Sequence, residues 1–229
     1  MAHLKSLPPA FSDPHCDIAQ RFLASAFESV EAVFDTLYAI RQIRKEGGGG
    51  IQGRLTAKEE NLLRVAIVFT GGGLDASLKQ LIRDTLPLLL DANEQAHIKF
   101  EAFATEKLGT AEIADTRQIA RYLTSESPRE RLIEDYIYEM TGSSLQSADE
   151  VQKVAGALGI DDGALRKEIS ALKPLFVARN EISHELDLQS PEKPGDRSQR
   201  TRSISQSKAV CDIGFKVCQE VLNAVGEDL

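Results

Sequence analysis

The stretch DIAQRFLASAFESVEAVFDTLYAIRQIRK, residues 17–45, decides the fold class. Its apolar residues Ile18, Phe22, Leu23, Phe27, Val30, Val33, Phe34, Leu37, Ile40 and Ile43 recur every three or four positions, not every second one. That spacing predicts one long amphipathic helix with a stripe turned to a core. The glycine run Gly47–Gly50 ends it in a loop. Thr56-Ala57-Lys58-Glu59 then has the form of a capping box, in which a hydroxyl and a carboxylate satisfy exposed amides at a helix start. The helix it opens carries Leu62, Leu63, Val65, Ala66, Ile67, Val68 and Phe69. Gly71-Gly72-Gly73 is expected to interrupt it. A fresh amphipathic stretch from Leu74 to Leu89 should follow, with Pro87 kinking or breaking it.

The rest of the chain keeps the helical pattern. Residues 92–172 read as several shorter helices. Thr110 opens one, Pro128 sits in a first turn behind the cap residue Ser127, Ser147-Ala148-Asp149-Glu150 forms a second capping box, and Asp161 or Asp162 caps the next. Pro174 opens a helix bearing Leu175, Phe176, Val177, Ile182 and Leu186. Pro191, Pro194 and Gly195 make 189–202 a loop, and a last helix runs from about Ile204 to Val225. No segment alternates as a strand would. The expectation is an all-α single domain, 1–229: a bundle built from 17–90 and 173–225, with 92–172 as an inserted or appended helical lobe.

Composition narrows the function. A net charge of −8 argues against a protein that coats nucleic acid with its whole surface, so any RNA must meet a local basic patch. Aromatic residues are 6% with no Trp, which disfavours a base-stacking platform. The cysteines Cys16, Cys211 and Cys218 are odd in number and follow no export signal, so they read as small buried residues, not a disulfide framework. The four histidines are scattered, and Asp84, Asp91, Glu94 and His97 lack a metal-binding spacing, so no metal or other cofactor is expected. Gly71–Lys79 lacks the Gly-Lys-Ser/Thr ending of a phosphate loop. Glu134, Asp135, Tyr136 and Tyr138 read as an amphipathic surface. Without an export pattern or an uninterrupted membrane-length apolar run, the expected location is cytoplasmic.

One strip of polar residues carries chemistry. Arg179, Asn180 and His184 lie on the helix that Pro174 opens. At about 100° per residue, Asn180 and His184 fall one turn apart on one face, and Arg179 and Ser183 one turn apart on the next. An Arg-x-x-x-x-His spacing alone arises by chance in roughly one chain of four of this composition; Asn after the Arg lowers that to roughly one in two hundred. A histidine can take a proton from a ribose 2′-hydroxyl or give one to a leaving oxygen. An arginine can hold the phosphate and offset charge that builds up in the transition state. Asparagine can orient either. A solvated helix face with Glu181 and Glu185 paired locally is the bland alternative.

The run Leu175-Phe176-Val177-Ala178-Arg179-Asn180-Glu181-Ile182-Ser183-His184-Glu185-Leu186-Asp187 resembles the signature of the HEPN superfamily, in which Arg, a polar residue, three variable residues and His lie near the start of a late bundle helix. Val65–Lys79 is similar to an earlier helix of some members. The resemblance covers the bundle, not the middle lobe. It implies a metal-independent endoribonuclease working as a homodimer whose two motifs share a cleft, in the manner of toxins of toxin–antitoxin systems and abortive-infection or antiviral defence effectors. By position it implies Arg179 and His184 as the catalytic pair, Asn180 as their support, and Glu181 and Ser183 as secondary residues. A toxin subgroup carries Tyr two residues after the His; Leu186 stands there in this chain, so an antitoxin would act by binding and not by nucleotidylation. Lys193, Arg197, Arg200, Arg202 and Lys208 make the following loop basic, and the expectation is that this loop is mobile and lines the RNA path through Arg197, Arg200 and Arg202. The other reading is a noncatalytic bundle of the same kind that binds RNA or a protein partner as a regulatory module.

Overall fold

A computed structural model describes residues 4–48, 54–109, 116–160, 163–193 and 195–229. The decisive stretch is a single helix, α1 (Asp17–Glu46), preceded by a 3-10 turn at Pro14–Cys16. Its buried face is Ala19, Leu23, Val30, Phe34 and Leu37. Thr56 caps α2 (Ala57–Ala92): its hydroxyl accepts from the Glu59 amide while the Glu59 carboxylate accepts from the Thr56 amide.

The 36-residue α2 runs unbroken through both expected breaks, the three glycines and Pro87. Two of the three glycines, Gly71 and Gly73, are places of close approach. A Cβ at Gly73 would lie 2.2 Å from the Ala26 Cβ of α1, and one at Gly71 would lie 3.2 Å from the Arg179 Cγ. Each interior glycine costs about 1 kcal/mol of helix propensity, which at Gly71 and Gly73 the packing of neighbours against the bare backbone offsets. By length and hydropathy α2 is also the one helix among the described residues that could cross a bilayer. Here it is the bundle's central element, packed on helices on several sides.

The middle of the chain forms α3 (Glu94–Gly109), α4 (Thr116–Leu123), α5 (Pro128–Thr141), α6 (Ala148–Ala157) and α7 (Gly163–Ser170). Ser147 caps α6 as expected, whereas Ser127 makes no side-chain cap bond to α5. Thr110, Asp161 and Asp162 lie outside the described residues. Tyr136 is buried against Phe100 and Phe103, not on the surface; Tyr138 is exposed. The carboxylate of Asp75 on α2 accepts from the Leu145 amide at 2.7 Å and so fixes the α5–α6 loop to the bundle. One cluster of buried apolar side chains runs through bundle and lobe alike.

The chain closes with α8 (Lys173–Glu185) and α9 (Ile204–Asp228). Gly214 of α9 meets the Leu175 and Thr70 side chains, so α2, α8 and α9 converge there. Phe27 and Phe215 join α1 to α9 edge-to-face at 5.2 Å. Among the described residues the structure is all-α; its one non-helical pairing is an isolated bridge between Leu188 and Gln199. All three cysteines are free and buried, and desolvation raises their thiols, Cys16 to about 11 and Cys211 and Cys218 to about 12.

Candidate functional site on helix α8

Pro174 sits in the first turn of α8, where its missing amide costs nothing. Leu175, Phe176 and Ala178 turn inward and anchor the helix, with Ile182 partly buried. Beside these anchors, Arg179 and Asn180 are half-buried. The Arg179 stem lies over Gly71, and its guanidinium donates to the Asn180 Oδ1 at 3.0 Å. The Asn180 amide in turn donates to the Gln146 carbonyl in the α5–α6 loop at 3.1 Å. Arg179 is therefore held at two points, by a bare stretch of α2 below and by an anchored amide beside it. One turn on, Ser183 and His184 are exposed.

Glu181 does not face the other motif residues. It pairs with Arg202 at 2.8 Å and with Arg200 at 3.5 Å. These contacts belong to a network at the end of α8. The helix stops because Leu186 and Asp187 both take left-handed backbone angles, φ 52° and 57°, and the Asp187 amide turns back to the Glu181 carbonyl at 2.9 Å. Neither residue is glycine, so this end carries a conformational cost of about 1–2 kcal/mol per residue. What holds it is the Asp187 carboxylate, fully buried, which accepts from the Arg64 Nε at 2.7 Å and also from Arg202. Arg64 further donates to the Arg200 carbonyl at 2.8 Å. For Arg202, burial opposes the charged form, but Asp187 and Glu181 outweigh it and hold its pKa above the ordinary value.

Of the basic residues expected to line an RNA path, Arg200 and Arg202 meet Glu181, Glu185 and Asp187, and the Leu188–Gln199 bridge with the Gln189 and Arg200 backbone bonds joins the two ends of the segment. Arg197 is exposed and has no carboxylate partner among the described residues. Asp84, Asp91 and His97 have separate partners in Gln80, Arg129 and Glu101.

Sequence reasoning missed Arg64, Asp187 and Gln146. Arg64 had a signal: it lies in phase with Ile67, Gly71, Leu74 and Leu78 on the buried side of α2, and a cation there requires a buried counter-charge. Gln146 had none, because its role rests on a backbone carbonyl.

Comparison with protein-family models, curated proteins and solved structures finds no match. What the chain itself defines is an all-α bundle with an Arg-Asn-x-x-x-His strip on its eighth helix.

Proposed function

We propose that the chain is a metal-independent endoribonuclease of the HEPN type, acting as a homodimer in growth arrest or antiviral defence. The observation that carries the reading is the braced pair: Arg179 fixed by Asn180, which is itself fixed to the Gln146 carbonyl, with an exposed His184 one turn further along. Such bracing sets a cationic donor in place before substrate arrives, which is what transition-state stabilisation of a phosphate requires.

In this reading His184 takes the proton of the ribose 2′-hydroxyl as the 2′-oxygen attacks phosphorus. The P–O5′ bond breaks, leaving a 2′,3′-cyclic phosphate. The departing 5′-oxygen takes a proton from the His184 imidazolium of the second copy. Arg179 carries the charge that gathers on the non-bridging oxygens. Exposed apolar side chains support the dimer. On the outward side of the same stretch of α2, Val65 and Phe69 stand exposed one turn apart, and Val177 is exposed on α8.

The test is cleavage of total RNA and of tRNA in the presence of chelator. Wild-type protein is expected to cut, and Arg179→Ala and His184→Ala to lose at least a hundredfold. Cleavage that survives in both variants, or that needs a divalent metal, would falsify the reading. Growth arrest on expression, relieved by His184→Ala, tests the cellular role.

A further inference from the structure

A cavity of about 680 Å³ opens between the C-terminal half of α1, the start of α2 and the start of α9. That is within the range of small-molecule sites. Four cationic side chains reach it from three segments: Arg41, Arg54, Arg202 and Lys208. Of its lining residues one is acidic, Glu60, and that carboxylate faces Arg64 at 3.5 Å. Arg202 is committed to Glu181 and Asp187, and Arg41 lies 3.6 Å from Glu59. Lys208 is 3.8 Å from Asp212, and among the described residues Arg54 donates to the Thr201 hydroxyl alone, at 3.1 Å. Arg54 is thus the one of these four cations without a carboxylate partner among the described residues, and Lys208 stands at the longest of the other three separations.

The floor adds further donors. Ile204 and Ser205 open α9 and line the cavity, and first-turn amides have no carbonyl of their own helix to bond. The Ser203 hydroxyl is taken up in capping, accepting from the Gln206 amide at 3.2 Å. Tyr38 and Leu55 supply an apolar wall. Cations, open amides and a ring beside an aliphatic wall together suit one chemistry: an anion with several acceptor oxygens, attached to a flat apolar body.

We propose that this cavity binds a small aromatic phosphomonoester, its phosphoryl group held by Arg54, Lys208 and the Ile204 and Ser205 amides, and its ring against Tyr38 and Leu55. The site is separate from the ribonuclease reading, and its test measures binding alone. Titration calorimetry with phenyl phosphate is expected to show saturable binding at least tenfold tighter than inorganic phosphate, with no heat from phenol. The double variant Arg54→Glu/Lys208→Glu should weaken it at least tenfold while keeping the helical circular dichroism of the parent. In the unsubstituted protein, phenyl phosphate should shift the amide resonances of Ile204 and Ser205. The proposal is overturned by no binding, by binding that leaves those two amides unmoved, or by binding only of a 5′-phosphorylated RNA oligonucleotide and not of phenyl phosphate.

Discussion

At the scale of single residues, Asp187 and His184 have opposite demands. Asp187 is wholly buried between Arg64 and Arg202 in a left-handed conformation, so its removal strands a buried guanidinium and frees a strained turn. Asp187→Ala is expected to cost about 3–5 kcal/mol, measured as the shift in urea-unfolding free energy. Replacing Arg64 and Asp187 together by apolar residues of similar volume should cost much less, since no charge is then left alone. His184 is exposed, and no described residue bonds it, so His184→Ala should leave the unfolding free energy within about 0.5 kcal/mol of the parent while abolishing the proposed cleavage. That contrast was half legible beforehand. The spacing of Arg179, Asn180 and His184 is printed in the sequence, because a helix converts spacing into direction. The partners of Asp187 are not, because one of them lies 123 positions away.

At the scale of elements, the helices themselves follow from periodicity and caps, and the misreading of α2 shows the limit of local rules. Three consecutive glycines break an isolated helix. Here tertiary contact overrides propensity, because α1 comes too near for a Cβ at Gly73 and the Arg179 stem of α8 packs tightly on Gly71. Gly73→Ala therefore gains about 1 kcal/mol of helix propensity and loses more through the clash with Ala26, for a net destabilisation of about 1–3 kcal/mol by thermal or denaturant unfolding. The α2 cap gives a pH dependence. Burial pushes the Glu59 carboxyl up, but bonds from the Thr56 amide and hydroxyl and the nearby Arg44 and Arg41 outweigh it, so its pKa falls below the ordinary 4.5. A depressed carboxylate contributes stability that is whole above its unfolded pKa and is lost as pH falls through the folded one. Glu59→Gln is expected to cost about 1–2 kcal/mol at pH 7 and progressively less below pH 4.5, read from denaturation curves across that range.

At the scale of the whole molecule, the exposed Val65 and Phe69 of α2 set the prediction for the proposed dimer. Phe69→Asp should leave a folded monomer by sedimentation while removing the dimer and, with it, RNA cleavage, although Arg179 and His184 are untouched. Cleavage by a monomeric Phe69→Asp protein would refute the shared cleft. The all-α architecture was readable in the sequence, but how the lobe joins the bundle was not, since Asp75 receives an amide from 70 positions on. The clamp around Asp187 also makes three segments distant in the chain open as one. Arg64 of α2 and Arg202, just before α9, close on a single carboxylate at the end of α8, so the backbone amides around all three are expected to exchange with solvent deuterium in one cooperative step, and Asp187→Asn should split that step into separate ones.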